Sequence, residues 1–405
     1  MKILYIHQYF VTPEERGGTR SYWIAKELVK CGHEVVVITS RSSIKGYERK
    51  KIEGIDVLYL GNNYNNYMSK WQKVKSFLRF VRLSIAQAKR EGNVDLVFAT
   101  STPLTVGYIA LRLKCLKKWR YVFEVRDLWP EFPIQIGAIR NPFVIKFLRF
   151  MERKIYLNAE HIIALSPGMK DGVISAGISK SKVTVIPNMS KPDIFYPREK
   201  SQDFIKEFSI DVNKFNVIHF GSMGRANGLS YIIETARLFH ERSINDVNFI
   251  FMGDGATLPL LKELVKKYDL SNVSFLGAHK MSVVSEIVNI CDISIVPFLN
   301  LPVLYTNSPN KLFDTLSAGK PIIVNSAGWT KDLVEKYDCG FYVDPDSPQD
   351  LYKKIVSCKD NKELINQWGR NARRLSIDVF DKSNLSLAVV DILEKCNSNN
   401  VSELF

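Results

Sequence analysis

Short apolar runs recur along the chain, each followed by a glycine- or proline-marked turn and then by a stretch with helical spacing. They predict buried strands over residues 2–7, 35–39, 56–60, 95–100, 121–125, 161–165 and 183–187. Helical spacing falls between them, over 21–30, 69–90, 106–118 and 142–157. In the second of these, Trp71, Val74, Leu78, Val81 and Ile85 form one stripe. The same alternation restarts with strands over 215–220, 247–252, 272–277, 292–297 and 321–325. Strand, turn, helix, strand is a parallel crossover unit, whose ligand in open sheets lies beyond the carboxyl ends of the strands. Pro192, Pro197 and the charged residues after them mark a linker. The expectation is an α/β chain with one domain over 1–197, a second over 198–380 and a C-terminal segment over 381–405.

Candidate chemistry concentrates between Thr306 and Asn325. Ser308 is placed to cap a helix with Pro309 at its first position, and Gly319 and Pro321 end that helix. Its free N–H groups then fall near Asn310 and Lys311, and Lys311 shares a face with Asp314 one turn on. A helix N-terminus with a lysine suits phosphate, and a nearby carboxylate suits sugar hydroxyls. Two glycine-marked turns follow the first strands of the two halves. One carries Gly17 and Gly18; the other is Gly221-Ser222-Met223-Gly224-Arg225-Ala226-Asn227-Gly228. Neither is a GxGxxG fingerprint, which argues against a standard NAD site. Arg126 and Asp127 stand at the carboxyl end of the strand over 121–125, where α/β enzymes place working groups. An Arg beside an Asp there binds phosphate or polarises a hydroxyl, or else is an ion pair holding the loop.

In this order and spacing the motifs resemble the family 4 retaining glycosyltransferases of the GT-B fold. The resemblance runs from Gly17-Gly18 to Pro321, through Ile186-Pro187-Asn188 and Phe195-Tyr196-Pro197. It implies two facing Rossmann-like domains, with a C-terminal helix over 383–396 crossing back to the first and a polar tail from Asn397. It implies further that Asp314 meets the donor ribose and that Thr306 replaces the glutamate that usually touches the donor sugar. Ser222 and Asn227 stand where most members carry an Arg and a Lys that hold the diphosphate, so Arg225 and Lys311 are the candidates for the lost charge. The implied donor-binding set is Gly17, Gly18, Ser222, Arg225, Asn227, Gly253, Thr306, Asn310 and Asp314. The implied catalytic set is Arg126, Asp127 and Lys311, with no metal and no cofactor beyond the UDP-sugar substrate. Glu-Val-Arg126-Asp127-Leu-Trp-Pro-Glu is similar to a subgroup described as L-fucosamine transferases of bacterial O-antigen and capsule assembly. The implied reaction moves a sugar, such as an N-acetylated 6-deoxyhexosamine, from a UDP-sugar to a polyprenyl-diphosphate-linked glycan.

Charge adds a partner. Residues 1–197 hold 32 Lys and Arg against 16 Asp and Glu, whereas residues 198–405 hold 24 against 26. A basic first half calls for an anionic partner. Its cations are mixed with Trp71, Phe77 and Phe80 among Lys70, Lys73, Lys75, Arg79 and Arg82, and with Phe143, Phe147 and Phe150 among Lys146, Arg149 and Arg153. Such mixtures suit peripheral docking on an anionic leaflet. No apolar run approaches the ~20 residues of a membrane span. No cleavage signal precedes the first strand, and the six cysteines have no disulfide or zinc spacing. The expected place is the cytoplasm, on the inner face of the membrane. Two other readings stay open: a UDP-sugar 2-epimerase of similar fold, and a basic nucleic-acid-binding protein, for which no RRM, KH or zinc signature is present.

Overall fold

The computed structural model describes residues 1–65 and 68–398, so the polar tail expected from Asn397 lies, past Ser398, outside the described residues. Two compact units divide the chain. The first comprises 1–13, 17–187 and the segment from Lys382 on; the second comprises Glu14–Arg16 and Asn188–Asp381. The division falls after Pro187, ahead of the expected linker at Pro192–Pro197. Hydrogen bonds explain the offset: Asn188 N–H donates to Ser308 Oγ (3.1 Å), Ser190 N–H to Phe380 O (2.7 Å) and Lys191 N–H to Ser317 Oγ (2.9 Å).

In the first unit, β1 (Lys2–Ile6), β2 (Glu34–Arg41), β3 (Tyr47–Ile52), β4 (Ile55–Gly61), β5 (Leu96–Thr100), β6 (Arg120–Val125), β7 (His161–Ala164) and β8 (Val183–Val185) form one sheet. Its order is β3-β4-β2-β1-β5-β6-β7-β8, parallel except for the β3–β4 hairpin. Ile3 to Ile6 of β1 are fully buried, as a central parallel strand covered on both faces requires. From β1 the chain steps to β2 on one side and later resumes at β5 on the other. The loops leaving β1 and β5 therefore part at a switch point. The helix Lys382–Asn397 belongs to this unit and packs on the helix Arg20–Lys30, with Lys382 Nζ 4.1 Å from the Trp23 ring centre.

β3 was absent from the sequence-based expectation. Tyr-Glu-Arg-Lys-Lys-Ile has no apolar alternation, because an edge strand needs none and lysines there oppose pairing with another chain. Its signal was the turn: Glu53 (φ 46°) and Gly54 (φ 88°) supply the two positive dihedrals of a tight hairpin. The stripe on the helix Lys70–Ala88 also turns out differently. Trp71, Val74 and Leu78 are exposed, whereas Phe80, grouped with the cations as suited to docking, is fully buried and Phe77 half-buried. Helical periodicity identifies a face but not whether anything covers it.

The second unit repeats the plan with β9 (Phe215–Ser222), β10 (Val247–Asp254), β11 (Val273–Gly277), β12 (Ile293–Val296), β13 (Ile322–Val324) and β14 (Gly340–Tyr342). The order β11-β10-β9-β12-β13-β14 is parallel throughout, and its switch point lies between β9 and β12. The loops leaving those two strands carry the Ser222–Asn227 turn and the segment from Pro297 to Lys311.

Candidate functional site

In the second unit, β9 runs out at Ser222 into a single tight turn of helix, Arg225–Asn227. Asn227 is buried and fixes that turn by donating from Nδ2 to Ser222 O at 3.0 Å. Its Oδ1 accepts from Lys311 Nζ at 3.2 Å. Gly221 has φ 103°, and a Cβ there would sit 3.5 Å from Lys311 Cε. Gly253, at the end of β10, has a backbone reason of its own: a Cβ would come within 1.9 Å of Gly221 O, so the two strands approach only because no side chain intervenes. Ser222 and Arg225 are exposed on the turn.

Lys311 is brought in by the helix Asn310–Ser317. Its amine also lies 3.4 Å from His219 Nε2. His219 Nδ1 is 3.3 Å from Ile295 O, so Nδ1–H donates to that carbonyl and Nε2 is left to accept. Burial, with the adjacent Lys311, holds His219 well below the ordinary histidine range. Burial also pushes Lys311 down to about 7. Among the described residues no carboxylate pairs with this amine. The amine is held by two neutral acceptors beside a glycine turn, an arrangement that an incoming anion completes by favouring its charged form.

Two expectations change here. Ser308 does not cap the helix; its hydroxyl accepts from Asn188 N–H and its carbonyl from Asn188 Nδ2. The helix therefore starts after Pro309 with no side-chain cap, leaving the N–H groups of Asn310 and Lys311 without one. Lys311 and Asp314 do not converge. Asp314 is buried and paired with Lys191 Nζ, while Lys311 reaches the glycine turn. Burial raises the Asp314 carboxyl, and Lys191 draws it back down. Thr306 ends the short turn Pro302–Thr306 and donates to Val303 O at 2.8 Å, so its hydroxyl helps to shape that turn. Lys191, unremarked in the sequence, lies past the Ile186-Pro187-Asn188 motif, where no spacing tied it to a helix more than a hundred residues on.

In the first unit, Arg126 and Asp127 follow β6, the strand next to β5 of the switch point. Arg126 N–H donates to Ser101 Oγ (2.9 Å), and Nη1 lies 3.4 Å from His7 Nε2. His7 Nδ1 is 2.9 Å from Ser21 Oγ, so His7 is read as Nδ1–H with Nε2 accepting from Arg126. Burial, reinforced by Arg126, holds His7 well below its usual range. Thr102 Oγ1 donates to Asp127 at 2.9 Å; burial raises this carboxyl against the lowering effects of Thr102 and Arg126. Gly17 (φ 140°) packs against Val11, ahead of the helix that starts at Arg20. Each unit thus sets a neutral histidine against a cation beside its switch point. Neither histidine was singled out from sequence, since a lone His within or just past an apolar strand has no partner at any fixed spacing.

Two family descriptions match consecutive parts of the chain: a glycosyl transferase 4-like domain over residues 17–189 and glycosyl transferases group 1 over 200–375. Alpha-galactosylglucosyldiacylglycerol synthase of Streptococcus pneumoniae is 20% identical over 64% of this chain and 67% of its own length. Among solved structures, sucrose-phosphate synthase from Thermosynechococcus elongatus superposes with a TM-score of 0.80, at 16% identity, over 98% of this chain and 99% of that one. HepE of Anabaena, in complex with UDP and glucose, gives 0.71 at 18% identity over 97% and 99%. The fold is GT-B.

Proposed function

From the premise that this enzyme is a glycosyltransferase of the group 1, family 4-like type, we propose that it transfers a sugar, with retention, from a UDP-sugar to a lipid-linked glycan. The observation that carries the donor half is the Lys311 amine, set against Asn227 and His219 with no acidic partner among the described residues. In this reading the diphosphate is that partner. Lys311, the helix N-terminal N–H groups and Arg225 neutralise the charge that develops as the glycosidic bond breaks. Same-face attack then lets the leaving phosphate take the acceptor's proton. HepE's complex with UDP and glucose agrees with a UDP donor, and the diacylglycerol named in the Streptococcus relative agrees with a lipid-borne acceptor. An N-acetylated 6-deoxyhexosamine in O-antigen or capsule assembly is the donor we favour from the Glu124–Glu131 sequence. The test is a panel of UDP-sugars, including UDP-N-acetyl-L-fucosamine, incubated without acceptor and followed by slow UDP release. One or more sugars should release UDP. An isomerised UDP-sugar, or no turnover of any donor, would overturn the reading.

The membrane half rests on two exposed faces of the first unit. On the helix Pro142–Asn158, Phe143, Phe147 and Phe150 are 82%, 60% and 53% exposed. Lys146, Arg149, Arg153 and Lys154 surround them, with Lys154 4.7 Å from the Phe150 ring centre. On the helix Lys70–Ala88, Trp71, Val74 and Leu78 do the same beside Lys75, Arg79 and Arg82. Among the described residues no helix is long and apolar enough to cross a membrane. Aromatic rings among cations suit the inner leaflet, at ~1 kcal/mol per basic residue near the surface. In flotation with phosphatidylglycerol vesicles the protein should rise at low salt and be released at about 0.5 M, where the Debye length is a few ångströms. Phe147→Asp with Phe150→Asp should abolish binding. Equal recovery on neutral and anionic vesicles, or none on either, would leave a soluble acceptor as the better account.

A further inference from the structure

In the second unit the segment from Asn188 to Lys191 straps the helix Asn310–Ser317 along its length. Asn188 takes the approach to the helix, with its N–H donating to Ser308 Oγ at 3.1 Å and its Nδ2 to Ser308 O. Ser190 Oγ donates to Phe313 O at 3.2 Å, in the middle of the helix. Lys191 takes the far end: its N–H donates to Ser317 Oγ at 2.9 Å, and its amine pairs with Asp314. Arg373 adds a tie there, donating from Nη1 to Ser317 O at 2.6 Å and to Phe195 O at 3.0 Å. Asn188, Ser190, Lys191, Asp314 and Ser317 are all buried. The start of the helix has no side-chain cap, so Lys311 and the first N–H groups take their direction from the body behind them.

Within this strap the Lys191–Asp314 contact differs in kind from the rest. Taking two charges out of water costs most of what their attraction returns, so the pair adds little net stability. Neither partner can leave without stranding the other, a larger penalty than losing any neutral hydrogen bond of the strap. A helix turned against the strap would strand both. The pair therefore restrains rotation more than it stabilises the unit. Rotation matters at the opposite face, where Lys311 must meet Asn227 at 3.2 Å and His219 at 3.4 Å. A misplacement of about 1 Å at a positioned group costs on the order of a hundredfold. We infer that Lys191 and Asp314 are a positioning pair for the donor site, fixing the helix so that Lys311 and the first N–H groups face the Ser222–Asn227 turn. Asp314 then acts through Lys191 and the helix, with no contact of its own to the nucleotide. This deepens the transferase reading above and rests on it, adding the residues that aim its phosphate site.

Calorimetric titration of UDP and of uridine into the full chain reads the pair without acceptor or turnover. Lys191→Met strands the Asp314 carboxylate, and Asp314→Leu strands the Lys191 amine. Each should weaken UDP about tenfold and leave uridine as it was, because aiming the helix serves only the phosphates. The double variant strands no charge and should bind UDP within about threefold of the parent. That recovery is the signature. A carboxylate that touched the donor itself could not be restored by changing its partner. Thermal melting shows which variants are folded, and where a single variant is not, the double variant decides. A double variant weaker than that range, equal losses for UDP and uridine, or folded single variants with unchanged UDP affinity would each overturn the pair. A parent that binds UDP no better than uridine would fault the donor reading, and the pair with it.

Discussion

Lys311→Ala is expected to lower UDP-sugar turnover by about 10²–10³, the usual loss when one preorganised donor is removed from developing charge. Affinity should separate by ligand. UDP should bind roughly tenfold to a hundredfold more weakly, the worth of a charge-assisted hydrogen bond, whereas uridine should bind as before. The proton gives a sharper signature. In the free protein burial pushes Lys311 down to about 7 from an ordinary 10.5. Between those values the unfolded chain binds more protons than the folded one. This group therefore destabilises the unit fully below pH 7, and the effect is lost as pH rises toward 10.5. A diphosphate beside the amine favours the charged form, so binding UDP at pH 8 should take up a proton. Calorimetry in buffers of different ionisation heat measures that uptake, and Lys311→Ala should abolish it. Equal losses for UDP and uridine, or unaltered proton uptake, would remove Lys311 from the phosphate.

Much of this arrangement is legible in the chain because of what a parallel sheet needs. Strands buried on both faces must be apolar throughout, so β1 and β5 stand out as Ile3–Ile6 and Leu96–Ala99. Glycines such as Gly221 and Gly253 mark close backbone approach, and so place the turn that Asn227 closes. Lys311 came under attention because the resemblance leaves a gap at Asn227, and the structure sets its amine against that residue. What the sequence hid is long-range. Lys191 meets Asp314, and Ser308 meets Asn188, through loops that only the folded unit brings together. Exposed stripes were hidden too, since Trp71, Val74 and Leu78 have the same spacing whether a neighbour covers them or not.

Glu124→Ala should be the most destabilising single change in the first unit. Glu124 Oε1 accepts from Arg20 Nε at 2.9 Å, and both side chains are fully buried. Thr100 Oγ1 donates to the second oxygen at 3.1 Å, while Arg20 donates from Nη2 to the carbonyl of Ile186 (3.1 Å) and from Nη1 to that of Pro187. The planar guanidinium thus joins the first turn of a helix, the end of β6 and the chain leaving β8, a geometry that lysine cannot reproduce. Removing the carboxylate leaves a buried cation uncompensated, which costs about 3–5 kcal/mol. For a unit of this size that corresponds to a fall of roughly 6–20 °C in the calorimetric transition. Replacing both partners, as Arg20→Met with Glu124→Met, should recover much of the loss, because no stranded charge remains. The carbonyls of Ile186 and Pro187 would still lack their donor, so recovery stops short of the parent. The pair also bears on the site, since Arg20 follows the Gly17-Gly18 turn and Glu124 precedes Arg126 by two residues. A Glu124→Ala protein melting within a degree or two of the parent would show that water or a rearranged partner satisfies Arg20, and that the unit does not depend on this junction.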